Sequence, residues 1–361
     1  MTTTATVVFL AVVGARFLVP LLIPRYPLPA IVAALVLDAV DQTVFQSFGF
    51  DPPGYQNYDK AMDVYYLAIA YLATLRNWTS RPAVQVARFL YFYRLAGVVA
   101  FELTDWRPLL MIFPNTFEYF FIAYEVYRLF WNPARVSLRT WIITAASIWI
   151  FVKLPQEWWI HIAKLDFTDT VAEVPWFGPA VVLALVGAGW IYWFVIRPRQ
   201  PAPDWSWHVA ADPLPAEGAT MADRLRWVAS HGRLWSVGTL EKVVLVGLLW
   251  VIYSQILPGT RATPGQLFLG TAVFVVVNAA VALWVARSGR GIERALVAFG
   301  VRLLGNAGLV LLAGWLLGRE RGALNDAAAL FFVLLLSLLT LLDDRFRPVH
   351  EIRSARRTLR A

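Results

Sequence analysis

Eleven long apolar runs constrain this chain more than any other feature. They cover approximately residues 5–23, 28–49, 61–78, 84–103, 108–127, 138–154, 175–196, 238–257, 265–286, 291–318 and 324–342. About 20 mostly apolar residues in a helix cross roughly 30 Å of hydrocarbon. In lipid every backbone polar group must be satisfied within the span, so runs of this kind fold as helices. The expected fold class is therefore all-α, a polytopic α-helical membrane protein with about 11 transmembrane helices. Prolines punctuate the boundaries: Pro24, Pro27 and Pro29 between the first two runs, Pro52-Pro53-Gly54 after the second, and Pro82, Pro108, Pro133, Pro175 and Pro264 near later ends. The first run lacks a basic n-region and is followed at once by a second, so it reads as a span rather than a cleaved signal.

Composition agrees. Of 361 residues, 59% are hydrophobic and 16% charged, with a mean hydropathy of +0.57. Soluble chains carry about 25% charged residues, so an ordinary soluble enzyme is excluded. There is no Cys, which removes thiol redox chemistry, iron–sulfur clusters and Cys-ligated zinc.

The Lys and Arg residues orient the chain. Twenty of the 32 fall in one set of alternate loops and the C-terminal tail, seven in the opposite set and five inside runs. By the positive-inside bias the N-terminus is expected outside and the C-terminus in the cytoplasm. Dropping the sixth run would spoil the alternation. The +8 net charge is then a topology signal, and no nucleic-acid partner is expected, because no binding motif accompanies it. The tail Arg345–Arg360 is suited to anionic headgroups.

Four segments follow: a membrane bundle over 1–196 with about seven spans, a cytoplasmic linker over 197–237, a second bundle over 238–343 with about four, and a basic tail over 344–361. The linker opens with Pro198, Pro201, Pro203, Pro213 and Pro215 and reads as extended. Thr220 and Asp223 then resemble a capping box. Met221, Leu225, Val228 and Trp235 share one face of a basic helix expected to lie on the membrane surface. A second amphipathic piece, Gln156–Asp169, carries Trp158 and Trp159 at headgroup level, with His161 and Lys164 facing Glu157 and with Asp166, Asp169 and Glu173 making it acidic.

Ionisable residues inside spans are costly and face the bundle or water. The first five runs hold nine (Arg16, Asp38, Asp41, Asp63, Arg88, Arg94, Glu102, Glu118 and Glu125), and the last six hold Glu241, Lys242 and Arg302. Helical spacing puts Asp38 with Asp41, Asp59 with Asp63, and Asn115 with Glu118 on shared faces. The candidate ligand-binding set is Arg16, Asp38, Asp41, Asp59, Asp63, Arg94, Asn115 and Glu118, with the hydroxyls of Tyr55, Tyr58, Tyr65 and Tyr66 nearby. Arg16 and Arg94 are the expected counter-charges. Glu241 and Lys242 read as an interfacial pair. Pro114 is expected to break the fifth span, and Gly305-Asn306 the tenth.

Three functions remain open. A transporter or permease would use the acidic cluster as an outward-opening path in a cell membrane, of the bacterial inner or plasma membrane type. A membrane-embedded transferase on a lipid-linked substrate is the second: Asp38-x-x-Asp41 and Asp59-x-x-x-Asp63 resemble the paired Asp motifs that hold Mg²⁺ and diphosphate in prenyltransferases and alcohol phosphatidyltransferases. The flanking Asn, Gly and Arg positions of those families are missing. The orientation also favours a polyprenyl-phosphate carrier over cytosolic donors. The third is a non-catalytic subunit or scaffold, with Gly314 and Gly318 as a helix-packing pair. Expected partners are membrane lipids, a small solute or lipid-linked substrate, and a membrane protein partner. No cofactor and no resident metal are expected. No His lies in a span, which excludes intramembrane bis-His haem and a Ser–His hydrolase. H-E-x-x-H, Walker A and G-x-G-x-x-G motifs are absent.

Overall fold

The computed structural model describes residues 3–49, 55–165, 170–171, 173–256, 263–289, 294–316 and 326–358, whose regular structure is helical with no strand among them. Thirteen helices organise the description. The first six are α1 Thr3–Leu18, α2 Pro27–Ser47, α3 Tyr55–Asn77, α4 Arg81–Thr104, α5 Pro108–Ile112 and α6 Thr116–Arg128. Then come α7, beginning Leu138–Ile148, and α8 Phe177–Ile191, α9 Met221–His231, α10 Val237–Ile256, α11 Pro264–Arg287, α12 Ala295–Leu316 and α13 Asp326–Thr358.

Local chemistry sets the ends. Ser80 caps α4, its hydroxyl accepting from the Ala83 amide with Pro82 in the first turn, and Asp105 closes the helix in the left-handed region at φ 52°. The expected capping box is present at Thr220 and Asp223, and Thr263 with Gln266 forms a second at the start of α11.

Seven described helices are long and apolar enough to cross a membrane: Thr3–Leu22, Pro27–Ser47, Arg81–Thr104, Leu138–Ile160, Phe177–Arg199, Val237–Ile256 and Pro264–Arg287. The architecture is that of a helical membrane protein. The remaining expected spans fall short for different reasons. α3 carries too many polar groups. It is also the centre of the bundle, with Ala68, Ile69, Ala70, Tyr71, Leu72 and Ala73 fully buried, enclosed by α2, α4, α10 and α13. A helix surrounded by protein can carry polar side chains that lipid would reject. The fifth run is broken at Phe113–Asn115, between α5 and α6, as Pro114 requires. The described apolar part of α12 is short, Leu296–Gly308.

Three expectations change. The sixth span does not end at 154. Two π-helical segments, Trp149–Lys153 and Trp158–Ile162, with Leu154–Glu157 between them, carry α7 on to Ile162, so Trp158 and Trp159 belong to one long helix rather than a separate surface piece. α12 runs unbroken through Gly305-Asn306. The Asn306 side chain is satisfied by its neighbours, accepting from Asn278 at 2.7 Å and donating to Ser337 at 2.9 Å. The Pro-rich linker is docked: Asp204 and Trp205 amides donate to the Phe130 carbonyl, the Ala211 amide donates to that of Arg25, and Asp212 is buried. Trp235 lies past the end of α9 and is exposed. Pro52, Pro53, Gly54, Asp166, Asp169 and Gly318 lie outside the described residues.

The two expected halves share one core. α3 and α4 pack against α10 and α13, and Tyr253 of α10 donates to the Ala61 carbonyl of α3 at 2.9 Å. α8 sits at the periphery with no buried residue.

Candidate functional site

Arg16, near the end of α1, is the focus of four carboxylates. Its Nη1 donates to Asp41 Oδ2 and, at 2.8 Å, to Asp59 Oδ1. Its Nη2 donates to Asp38 Oδ1 and, at 3.1 Å, to Asp63 Oδ1. Asp38 and Asp41 come from one face of α2, and Asp59 and Asp63 from one face of α3. The i, i+3 and i, i+4 spacings make this convergence possible. Tyr55 donates to the other oxygen of Asp41, and the Tyr58 ring lies 5.3 Å from the guanidinium carbon, within cation–π range.

Exposure divides the four. Arg16 and Asp41 side chains are 3% and 0% exposed, whereas Asp38, Asp59 and Asp63 are 25%, 32% and 40% exposed. Asp41 is thus fully committed to Arg16 and Tyr55. The other three each retain an accessible face, and one oxygen from each lies within 4.8 Å of the others. Carboxylate oxygens at this separation fit a hard cation such as Mg²⁺ or Ca²⁺, bound at about 2.0–2.6 Å. With one guanidinium against four ionised carboxylates the cluster is three charges short of neutrality. Within a membrane such a deficit calls for protons or bound cations.

The remaining predicted residues form a second group at the α5–α6 break. Asn115 Nδ2 donates to Glu118 Oε2 at 2.9 Å, and Tyr66 of α3 donates to Glu118 Oε1 at 2.5 Å. The Asn115 amide reaches Glu157 Oε1 at 3.3 Å, and Lys153 lies 3.7 Å from the same oxygen. Tyr66 stands one turn beyond Asp63 on α3, so the two groups adjoin along one helix. Arg94 departs from its expected role. It donates to the Phe113 carbonyl freed by the break, at 2.9 Å, and the aspartates gather on Arg16 alone.

The sequence puts Lys153 at the end of the sixth run and Glu157 in the amphipathic piece that follows it. Both are buried, Lys153 beside the Tyr119 ring at 4.6 Å. Their i, i+4 spacing was the available signal. Glu241 and Lys242 do not pair with each other. Glu241 binds Arg88 at 3.2 Å and Arg347 at 3.1 Å, and Lys242 binds Asp343 at 2.9 Å and also Asp344. Consecutive helical residues point about 100° apart, which sends the two charges to different neighbours. The His161 side chain is outside the description.

Comparison of the chain with protein-family models, with curated proteins and with solved structures finds no match. Class therefore rests on fold and site: a helical membrane protein with an acidic cluster between its first three helices.

Proposed function

We propose that the chain is a multi-pass permease or transporter whose aspartate cluster admits a cation from the outer side of a cell membrane. The observation that carries this reading is the pairing of one buried arginine with four aspartates, three of them still accessible. A cation arriving at Asp38, Asp59 and Asp63 competes with Arg16 for their oxygens, and such competition couples binding to movement of α1 against α2 and α3. The proposed topology has eleven crossings, with α3, the broken α5–α6 segment, α12 and the first part of α13 joining the seven apolar helices. The N-terminus is outside and the basic tail inside, as the loop charges favour.

Cysteine labelling tests the topology in this natively Cys-free chain: Gly54→Cys should label from outside and Thr358→Cys only after permeabilisation. Proteoliposomes test the activity, with a pH dye and, separately, a Mn²⁺-quenched dye enclosed. Uptake of either ion that Asp38→Asn, Asp59→Asn and Asp63→Asn each abolish supports the reading. Wild-type vesicles that admit neither ion would overturn it.

The spacing of Asp38, Asp59 and Asp63 favours a second reading, a transferase acting on a polyprenyl-phosphate type of lipid-linked substrate. Those three carboxylates would hold Mg²⁺, which would neutralise the phosphate groups of the substrate. Mg²⁺-dependent turnover of a lipid diphosphate without ion flux would select it.

A further inference from the structure

At the far end of α3 from the aspartates lies a cluster of opposite sign. Thirteen residues separate Asp63 from Arg76, about 20 Å along the helix. Arg76 there meets Arg224 of α9 and Arg345 and Arg353 of α13. Arg76 Nη1 donates to the Pro24 carbonyl at 2.6 Å and to Asn77 Oδ1 at 2.7 Å. Arg224 donates to the carbonyls of Thr220 at 3.2 Å and Arg345 at 3.1 Å. Arg353 donates to the carbonyls of Arg76, of Trp78 at 3.5 Å and of Pro213 at 3.3 Å.

Among the described residues, no carboxylate pairs with Arg76, Arg224 or Arg353. By contrast, Arg16, Arg128, Lys242, Arg302 and Arg347 each have at least one carboxylate. Two carboxylates act on the cluster without forming an ion pair with it, Asp212 on Arg353 and Asp223 on Arg224. Asp212 accepts from Arg128 at 3.1 Å and lies 2.7 Å from His208. Asp223 is held by the Thr220 cap and by Arg226 at 2.5 Å. The side chain of Asn77, 2% exposed, adds a buried amide Nδ2 with no acceptor. Burial first, then the Arg76 charge, holds the Arg224 guanidinium below its ordinary value, and burial does the same for Arg353. Guanidinium groups such as Arg76, Arg224 and Arg353, held on carbonyls with no carboxylate in ion-pair contact, are relieved by an anion.

We propose that Arg76, Asn77, Arg224, Arg345 and Arg353 form a binding site for a phosphate group. Guanidinium forks match phosphate oxygens two at a time, which ammonium groups cannot do, and a carbonyl-anchored guanidinium keeps its remaining N–H groups aimed in a fixed direction. The phosphate comes either from an anionic lipid headgroup or from a soluble phosphorylated compound. The site is independent of the transport reading, since it uses none of the aspartate cluster.

The full chain in neutral detergent tests it by thermal unfolding in inorganic phosphate against chloride of equal ionic strength, and by addition of short-chain phosphatidylglycerol against phosphatidylcholine. A rise of several degrees with inorganic phosphate identifies a soluble-phosphate site, and a rise with phosphatidylglycerol alone identifies a headgroup site. In either case Arg224→Gln and Arg353→Gln should weaken the apparent affinity at least tenfold. Arg287→Gln, which removes an exposed arginine on the Gly232 carbonyl, should leave it unchanged. If Arg353→Gln does not fold, Arg224→Gln decides. No rise with either probe, or a rise that both variants retain in full, would overturn the proposal.

Discussion

Arg16 of α1 and Asp41 of α2 form an ion pair closed to solvent on both sides, with side chains 3% and 0% exposed. Removing one partner of a buried pair strands the other, at a cost of about 3–5 kcal/mol. Arg16 stands opposite three further carboxylates, so Arg16→Gln should be among the most damaging substitutions in the chain. The expected outcome is loss of folded protein in mild detergent, read by size-exclusion recovery. Arg16→Lys should recover only part of it, because one ammonium cannot present two parallel N–H pairs to four carboxylates. Normal recovery of Arg16→Gln would show that the cluster does not hold α1 to α2 and α3.

Asp63 should behave differently from Asp41. It is the most accessible of the four, at 40% exposed, and Arg16 keeps three other partners when it is neutralised. Asp63→Asn is expected to shift stability by no more than about 1 kcal/mol while reducing cation uptake at least tenfold. Asp41→Asn should do the reverse, lowering the melting temperature first, because Asp41 is bound by both Arg16 and Tyr55. Thermal unfolding and uptake measured on the same preparations separate the two. Equal behaviour of both variants would count against a division between an anchoring and an accessible aspartate.

Gly97 is a third test, aimed at the helix break. A Cβ at this position would lie 2.1 Å from Phe113 Cβ and 2.4 Å from its Cγ. Phe113 has little room to retreat, since its amide donates to Leu109 at 2.8 Å and its carbonyl accepts from Arg94. Gly97→Ala should therefore cost about 1–3 kcal/mol, the usual range for overpacking. Gly305→Ala, which meets nothing within 4 Å, should cost little. Pairing Gly97→Ala with Phe113→Ala should return part of the loss in a double-mutant cycle, and strict additivity would argue that the two do not collide.

What the sequence made legible follows from helical periodicity. The i, i+3 relation of Asp38 to Asp41 and the i, i+4 relation of Asp59 to Asp63 were readable because any helix enforces them. Arg16 was readable as a partner because it is the only basic residue in the first apolar run. Relations that depend on packing between distant segments were hidden. Lys153, Gln156 and Glu157 lower hydropathy and made α7 look finished, yet Lys153 and Glu157 are buried against the α5–α6 break. Arg94 was assigned to the aspartates because charge alone suggested it. The carbonyl that it binds becomes available only when Pro114 interrupts the helix. Proline content makes the start of the 197–237 segment read as an extended linker, and composition carries no sign that Asp212 docks onto Arg128.

His350, on the extension of α13 beyond its apolar part, gives a prediction in pH. Burial first, then the positive charges of Arg88 and Arg347, hold its pKa down at about 4 against an ordinary 6.5. Arg81 adds to this and Glu241 opposes it. The folded protein thus keeps His350 neutral at pH values where the unfolded chain protonates it. Its contribution to stability is complete above pH 6.5 and is lost progressively as the pH falls toward 4, up to about 3 kcal/mol. Carboxylates titrate in the same window, so the comparison must be between proteins. Thermal unfolding of wild type and His350→Gln between pH 7.5 and 4.5 isolates the residue. The wild type should lose more stability on acidification than the variant, with the two curves converging at low pH. Parallel curves across the range would show that His350 is as easily protonated in the folded protein as in the unfolded chain.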